Sequence, residues 1–341
     1  MKGKHHIVIE SARLKYEFDI KRNITIIRGD SATGKTTLIE LLEDYRGGGE
    51  DSAVRISSDV PCRVFADSSD PWRQALEVIA DSIIFIDEDN RFIRTKEFAE
   101  VVRFSSNYYV LITREDLPEL PYSIKEIYGI RTSGKYHFPE QIYHEFYQIY
   151  EDNTAGDFQF GLKKRIITED AKSGYQFFRS FCPDSDACIS ANGNGRVYYM
   201  LKSVPDQEFL TVIADGAAFG PYMENVLKYA DIRGNTLLYL PESFEWIILQ
   251  SGTASSNQPL NELEHPEDYI DSKEYMSWEQ YFTMLLIQLT KDDPVRQYQK
   301  SNLKPYYVQG TVRDRILKIL PEDLQKTLKV LGQVPFSEQN Q

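Results

Sequence analysis

The stretch IIRGDSATGKTTL, residues 26–38, decides the fold of the first part of this chain. Gly29 and Gly34 enclose four residues and are followed by Lys35 and Thr36, which completes the pattern G-x-x-x-x-G-K-[ST]. The apolar run NITIIRG before the loop predicts a central strand, and the periodic run KTTLIELLEDY after it predicts a helix. Three glycines at positions 47–49 are expected to end that helix. The pattern therefore lies between a strand and a helix, which is the setting that it requires.

A loop of this kind binds the phosphates of a nucleotide. Its glycines allow the backbone to curl, so that successive N–H groups face the β-phosphate. Lys35 supplies a mobile cation for the β- and γ-phosphates and is a candidate catalytic residue, while the Thr36 hydroxyl is a candidate magnesium ligand. The predicted ATP-binding residues are consecutive: Gly29, Asp30, Ser31, Ala32, Thr33, Gly34, Lys35, Thr36 and Thr37.

Two acidic residues follow a second apolar run, SIIFIDED, at residues 82–89. Asp87 would hold the magnesium ion, and Glu88 would orient or deprotonate the attacking water as a catalytic residue. A further apolar run, YYVLITRED, ends in Thr113 and Arg114, where many nucleotide hydrolases carry a residue that senses the γ-phosphate. The predicted cofactors are therefore ATP and Mg²⁺.

The order of these motifs resembles the ATPase core of the ABC and OLD type, over roughly residues 5–137. Two alternating strands, HHIVIES and KYEFDI, precede the loop, and EIYGIRTSGKYHF would form the closing hairpin. The aromatic-rich stretch at residues 134–158 is helix-like. Only about fifty residues separate Lys35 from Asp87 and no LSGGQ-like run is present, so an ABC-style dimer is not implied. A small P-loop kinase, with Asp59 or Asp67 as the acceptor-side acid, stays open.

The second half of the chain alternates strand-like and helix-like runs four times, which predicts an α/β domain with a parallel sheet. Glu169 follows the first of these strands, Asp215 follows the third, and Glu245 lies where a helix begins after the fourth. The four runs are KKRIITEDAKSGYQFFRSF, ACISANGNGRVYYMLKSV, EFLTVIADGAAFGPYMENVLKYA and TLLYLPESFEWIILQ.

This alternation resembles the Toprim fold, the metal-binding domain of topoisomerases, primases and OLD-family nucleases. The resemblance implies that Glu169 and Asp215 lie at the carboxyl ends of adjacent parallel strands, face one crevice and bind metal. It also implies that Glu169, Asp215 and Glu245 are catalytic. There are two departures: Asp170 replaces the usual glycine after the first acid, and Ala217 replaces the second acid of the D-x-D motif. Because magnesium needs several hard oxygen ligands, Asp170 or Glu245 would have to supply the third. A modified active nuclease, a degenerate domain and a Rossmann-like domain with incidental acids all stay open.

Length and composition set the wider limits. The 341 residues suffice for two domains, predicted at residues 1–150 and 157–341, with helices closing the second. No run of about 18 apolar residues predicts a membrane span, and three cysteines fit a reducing, cytoplasmic compartment. The formal net charge of −13 argues against a general nucleic-acid coat. The basic run LKKR, residues 162–165, is the candidate contact with a phosphate backbone.

The sequence thus predicts an α/β protein in which a P-loop ATPase domain precedes a Toprim-like (Rossmann-like) domain with C-terminal helices. By resemblance to OLD-type systems, ATP binding and hydrolysis would control the second domain, a magnesium-dependent nuclease in mobile-element or phage defence. The alternatives are an ATP-controlled switch whose inactive second domain acts on a protein partner, and a small-molecule P-loop kinase. ATP is the expected ligand, and DNA or RNA, a second copy of the chain and another protein are the open partners.

Overall fold

The computed structural model of the protein describes residues 1–29, 34–65, 71–137, 141–150, 161–254 and 260–332. Its internal contacts divide the chain into two units. The first holds Met1–Glu151 together with Glu264–Trp278, and the second holds Asp152–Leu263 together with Glu279–Gln341. Both units combine helices with a sheet, so the predicted α/β class is confirmed. No helix within the described ranges is long and apolar enough to cross a membrane.

The first unit is built on a sheet with nine strands among the described residues, in the order β4-β1-β2-β9-β8-β3-β7-β6-β5. The strands are β1 (His5–Glu10), β2 (Leu14–Ile20), β3 (Ile24–Ile27), β4 (Arg55–Ser57), β5 (Cys62–Phe65), β6 (Ile83–Ile86), β7 (Tyr108–Ile112), β8 (Ile127–His137) and β9 (Gln141–Gln148). The helices of this unit are α1 (Lys35–Gly48), α2 (Trp72–Glu77) and α3 (Lys96–Phe104).

The half of this sheet from β8 to β5 is parallel throughout. β3 pairs with β7 and β8, and β6 pairs with β7 and β5, all in the same direction. Every residue of β3, β6 and β7 is buried, as is expected of strands that are covered on both faces. The carboxyl ends of β3, β7 and β6 therefore lie side by side at one edge of the sheet.

Helix α1 follows the glycine loop as predicted. It buries the apolar residues Leu38, Ile39, Leu41 and Leu42, which face the core formed with the sheet. The helix ends at Gly48, and Gly49 caps it with a φ of 57°, a left-handed value that glycine adopts without steric cost.

Two secondary-structure predictions are wrong. The stretch EIYGIRTSGKYHF does not form a hairpin by itself, because Ile127–His137 is a single strand, β8, whose antiparallel partner is β9. Within the stretch that looked helix-like, Gln141–Gln148 form strand β9, which pairs antiparallel with β8 and parallel with β2. The Phe146 ring stacks on Phe18 with a centroid distance of 4.0 Å, and His144 stacks on Tyr16. Aromatic residues at alternating positions suit a pleated sheet, and here these cross-strand contacts outweigh the helix-like composition.

Residues 264–278 were expected in the second domain, but they pack within the first unit. The Asn23 side chain donates a hydrogen bond to the Met276 carbonyl at 2.8 Å, and this bond is buried. The Arg22 guanidinium lies 3.4 Å from the centroid of the Trp278 ring, within the range of a cation–π contact. Arg22 and Asn23 directly precede β3, so this segment covers the amino end of the strand that leads into the glycine loop.

The second unit is built on a parallel sheet in the order β11-β10-β12-β13, which confirms the predicted alternation of strands and helices. The strands are β10 (Lys164–Thr168), β11 (Cys188–Ser190), β12 (Phe209–Ile213) and β13 (Thr236–Tyr239). The remaining helices, in chain order, are α4 (Ser173–Arg179), α5 (Asn194–Ser203), α6 (Gly220–Arg233), α7 (Phe244–Gln250), α8 (Asn261–Glu264), α9 (Trp278–Thr290), α10 (Gly310–Ile319) and α11 (Glu322–Gly332).

Candidate functional site

The first candidate site lies at the carboxyl edge of the parallel strands in the first unit. Gly29 comes two residues after β3, Thr113 directly follows β7, and Asp87 directly follows β6. Because β7 pairs with both β3 and β6, the end of β7 lies between the loop and the acid. The structure thus brings Gly29, at the start of the loop, to the same edge as Asp87, Glu88 and Thr113, as the sequence predicted.

Lys35 is buried at the first position of α1, and its ammonium donates to the carbonyl oxygen of Gly29. Burial raises the pKa of Asp87, whereas the backbone N–H of Glu88, at 2.7 Å from Oδ1, and the positive charge of Lys35 oppose that rise. The ammonium and Asp87 are therefore close enough to interact. A lysine and an acid that lie close together next to such a loop are the groups that bind a phosphate and its metal ion.

The remaining loop residues are only partly within the described chain. Thr36 is exposed and Thr37 is half-buried in the first turn of α1. Asp30, Ser31, Ala32 and Thr33 lie outside the described residues. Glu88 forms an ion pair with Arg114 at 3.6 Å, which ties the predicted base to the predicted sensor.

Two residues near the loop were not found from the sequence. The Tyr16 hydroxyl donates to the carbonyl of Gly34 at 2.9 Å, and the Tyr16 ring stacks on His144 with a centroid distance of 4.6 Å. Gly34 has a φ of 95°, and a Cβ there would lie 2.8 Å from the Tyr16 oxygen. Burial raises the pKa of Tyr16 to about 12 and lowers the pKa of His144, so both side chains are neutral near pH 7. The register of β2 and β9 brings them together, which local sequence patterns do not reveal.

Of the two acids proposed for a kinase acceptor site, the structure describes one, Asp59. Asp59 precedes β5 and contacts the His5 ring nitrogen at 2.9 Å, so it lies at the amino edge of the parallel strands. The loop lies at the opposite, carboxyl edge, and Asp59 cannot serve it. Asp67 lies outside the described residues.

The second candidate site, which we call the carboxylate cavity, lies within the second unit. Glu169 directly follows β10, and Asp215 comes two residues after the neighbouring strand β12. The backbone N–H of Asp215 approaches Glu169 Oε2 at 3.4 Å. Glu169, Asp215 and Glu245 all line one cavity of about 20 Å³, which has room for about one water-sized ligand. The structure therefore brings the three predicted acids together.

Glu245 is fixed by the start of helix α7. The Ser243 hydroxyl caps this helix by accepting from the Trp246 N–H at 3.1 Å, which sets Glu245 in the first turn. The Glu245 side chain is 0% exposed, and its Oε2 atom has no hydrogen-bond partner within the part of the chain that the structure describes. An unpaired oxygen of this kind marks a position where a cation or a hydrogen-bond donor fits.

The end of β12 approaches the end of β13 closely. The Gly216 N–H donates to the Pro241 carbonyl at 2.6 Å, and the Phe244 N–H donates to Asp215 Oδ1 at 3.1 Å. Ala217, the residue that replaces the second acid of the motif, is buried and does not line the cavity. Asp170 does line it, so the additional carboxyl group comes from the end of β10.

Sequence reasoning missed four residues that contact this site. The Tyr298 hydroxyl donates to Glu245 Oε1 at 2.6 Å and lies 2.5 Å from the Ser173 hydroxyl. The Lys300 ammonium lies 2.5 Å from Glu279 Oε1 and 3.5 Å from Glu245 Oε1. Except for Ser173, these residues come from the C-terminal helical segment, far from any strand end. No spacing or motif in that segment indicates that they would reach the sheet.

The charged groups in the cavity shift one another's pKa values. Burial, together with the charges of Glu279 and Asp170, raises the pKa of Glu169 to about 8. Burial and the neighbouring carboxylates also raise the pKa of Asp215 well above its usual value. Burial lowers the pKa of Lys300, but the surrounding carboxylates, with Glu245 and Glu279 first, outweigh it and leave the pKa raised. The site therefore combines a carboxyl group, Glu169, that holds its proton near neutral pH with one firmly charged ammonium.

The predicted metal ligands are Thr36 and Asp87 in the first unit and Glu169 and Asp215 in the second. Among the described residues, no three His, Cys, Asp or Glu side chains are arranged to hold a metal ion. In the carboxylate cavity the groups that converge include an ammonium as well as acids. The Oε2 atom of Glu245, which has no partner among the described residues, could bind a cation. The oxygen atoms of the cavity therefore suit either a metal ion or the Lys300 ammonium that is already there.

The basic run at residues 162–165 has internal partners. Arg165 forms two bonds with the Glu208 carboxylate, at 2.6 and 3.2 Å, and Lys163 lies 3.5 Å from the same group. Lys164 begins β10, at the opposite end of that strand from Glu169, and lies over the Phe209 ring. Much of the positive charge of this run is therefore balanced within the unit.

The chain was also compared with known proteins. No known family, curated protein or solved structure matches it.

Proposed function

We propose that the protein binds and hydrolyses ATP with Mg²⁺ at the glycine loop, and that the bound nucleotide controls the second unit. One observation carries this proposal. The order of the parallel strands has the loop after β3, Thr113 after β7, and Asp87 with Glu88 after β6, all at one edge. A nucleotide bound there would meet the phosphate loop, the metal-binding acid and the candidate base together.

Each residue has a role that its surroundings support. The amino end of α1 provides N–H groups for a phosphate, and its positive dipole end favours an anion. Lys35 would exchange the neutral carbonyl of Gly29 for charged phosphate oxygens, and hydrogen bonds to charged groups are the stronger ones. Thr36 and Asp87 would bind magnesium, and Glu88 would act on the attacking water.

Binding is tested by calorimetry with ATP and magnesium. We expect Lys35→Ala to weaken ATP binding roughly ten- to a hundredfold, because one charged contact to the phosphates is lost. Lys96→Ala is the matched control, since Lys96 is an exposed lysine at the start of another helix of the same unit. Equal ATP affinity in Lys35→Ala and in the wild type would refute the nucleotide site.

Hydrolysis is tested separately from binding. Glu88→Gln keeps the size of the side chain and leaves Asp87 intact, but it removes the base. We expect this variant to bind ATP with wild-type affinity and to release phosphate about 10²–10⁴ times more slowly. A wild-type rate of phosphate release would assign the base to another residue.

A second candidate function is metal-dependent cleavage of a nucleic acid by the second unit. It is favoured by the convergence of Glu169, Asp215 and Glu245 on one cavity, together with the unpaired Oε2 of Glu245. The test is cleavage of plasmid DNA and of RNA by the full chain with magnesium or manganese, with and without ATP. Activity that is lost in Asp215→Asn would support this function.

The same assays decide between the alternatives. ATP binding without cleavage of either nucleic acid would favour a nucleotide-controlled switch that acts on a protein partner. Transfer of the γ-phosphate to a small molecule would favour a kinase, although Asp59 lies at the wrong edge of the sheet to serve as its acid. We propose a cytoplasmic setting from the three cysteines and the lack of a long apolar run in the sequence, and a role in mobile-element or phage defence from the resemblance alone.

A further inference from the structure

We infer that Lys300 is the built-in cation of the carboxylate cavity, and that a divalent metal ion binds there only by displacing the Lys300 ammonium. The inference deepens the second candidate function and relies on it only for the choice of site. It concerns which cation the acids hold, and it does not depend on ATP binding by the first unit.

The position of the ammonium is the first argument. Lys300 Nζ lies 2.5 Å from Glu279 Oε1 and 3.5 Å from Glu245 Oε1. Lys300 also lines the same cavity as Glu169 and Asp215, the two predicted metal ligands. One ammonium therefore lies within reach of the acids that a metal ion would use.

The second argument is the balance of charge. Five carboxyl groups surround or contact the cavity, and the described residues that line it include one cation, Lys300. Carboxylates held this close repel one another strongly unless protons or a positive charge neutralise them, and Lys300 is the positive charge that the described lining provides. The carboxyl groups belong to Glu169, Asp170, Asp215, Glu245 and Glu279.

The third argument is space. The cavity measures about 20 Å³, room for about one water-sized ligand. Magnesium gives up its water molecules reluctantly, and it needs oxygen ligands on several sides. The seated ammonium and a divalent ion with its waters therefore do not fit together. The wholly buried Glu245 Oε2, which lacks a partner among the described residues, supplies an oxygen for whichever cation is present.

The side chain of Lys300 can leave without unfolding its surroundings. Its backbone carbonyl accepts from the Ser173 N–H at 2.9 Å, which holds the main chain in place. The side chain is 23% exposed, so one side of it faces solvent. A lysine with a fixed backbone and a flexible, partly exposed side chain can exchange its carboxylate partners for water.

The experiment measures manganese binding to the full chain without nucleotide, by following the electron paramagnetic resonance signal of free Mn²⁺. We expect Lys300→Met to bind Mn²⁺ roughly tenfold or more tightly than the wild type, because the competing charge is gone. Lys300→Arg keeps the charge and should bind as weakly as the wild type. Lys291→Met, an exposed lysine at the end of α9, is the control for loss of a surface charge.

Two further variants keep the test decisive. Lys300→Gln removes the charge but retains a hydrogen-bond donor for Glu279, and it should show the same gain if Lys300→Met fails to fold. Asp215→Asn combined with either neutral variant should remove the gain, which locates the bound Mn²⁺ in the cavity. Equal Mn²⁺ affinity in the wild type and the neutral variants, whether tight or absent, would overturn the inference. Unchanged ATP affinity in Lys35→Ala, which would refute the nucleotide site, would leave the Mn²⁺ result as it stands, so the two proposals fail independently.

Discussion

Gly216 offers a direct test of how the carboxylate cavity is assembled. Its N–H donates to the Pro241 carbonyl at 2.6 Å, which draws the end of β12 against the residues after β13. A Cβ at position 216 would lie 2.9 Å from the Pro241 oxygen and closer still to the Leu240 oxygen. Both are backbone atoms, so Gly216→Ala cannot be accommodated by turning a side chain.

The size of the effect follows from these distances. Real Cβ atoms essentially never come within 3.0 Å of another heavy atom, so the two chain segments must separate. Overpacking of this kind costs about 1–3 kcal/mol, and the upper end applies because the clash is with backbone. We therefore expect Gly216→Ala to lower the unfolding free energy of the second unit by about 3 kcal/mol, which corresponds to roughly 6–12 °C in its Tm.

The assay is urea unfolding, with hydrogen exchange of peptides from β12 used to identify the transition of the second unit. Gly195→Ala is the matched control in the same unit, because its Cβ would meet only the Tyr222 ring at 3.5 Å. Gly195 lies within α5, so alanine there should stabilise by about 0.5–1 kcal/mol. A loss below about 0.5 kcal/mol in Gly216→Ala would refute the argument, because the strand ends would then not be held together as described.

Three further predictions concern single side chains. The pKa of Glu169 is about 8 in the folded protein, against a usual value of 4.5 that applies to the unfolded chain, so the free energy of unfolding should fall as the pH rises between these values. Urea unfolding at pH 5, 6.5 and 8 should show this decrease, and Glu169→Gln should flatten it. Tyr298→Phe removes the hydroxyl that donates to the buried Glu245 and should lower the unfolding free energy by about 1–3 kcal/mol; a thermal melt like that of the wild type would contradict this. Gly34→Ala should weaken ATP binding by roughly tenfold or more in calorimetry, because φ is positive there and the Cβ would meet the Tyr16 hydroxyl; unchanged affinity would mean that the loop does not bind the phosphates.

The sequence was most informative where chemistry follows directly from a strand end. Glu169, Asp215 and Asp87 each follow a continuous apolar run, and such runs become the buried parallel strands that hold acids at a common edge. Glu245 was chosen from the Toprim resemblance, and the structure shows that Ser243 caps the helix in which it lies. These predictions depend on a few neighbouring residues, and that is the range over which sequence patterns are reliable.

The predictions were less successful where distant parts of the chain meet. Lys300 and Tyr298 reach the cavity from the C-terminal segment, and nothing in their local sequence distinguishes them from a surface lysine and a core tyrosine. His144 was assigned to a helix-like stretch, because aromatic composition does not reveal the strand partners that stabilise β9. Tertiary pairing decided these cases, and a single sequence carries no direct record of it.

The course of residues 264–278 has a consequence for how the protein is made. These residues complete the first unit, yet they are synthesised after most of the second, and the buried bond from Asn23 to Met276 closes a separation of 253 positions. About 130 residues lie between the end of the first unit's main segment and Trp278, which a ribosome needs roughly 6–25 s to add. Throughout that time the Trp278 ring is absent from Arg22, and the Met276 carbonyl is absent from Asn23. The first unit therefore reaches its final state only after Asp152–Leu263 has been synthesised, and the second unit in turn waits for its own later segment, which begins at Glu279.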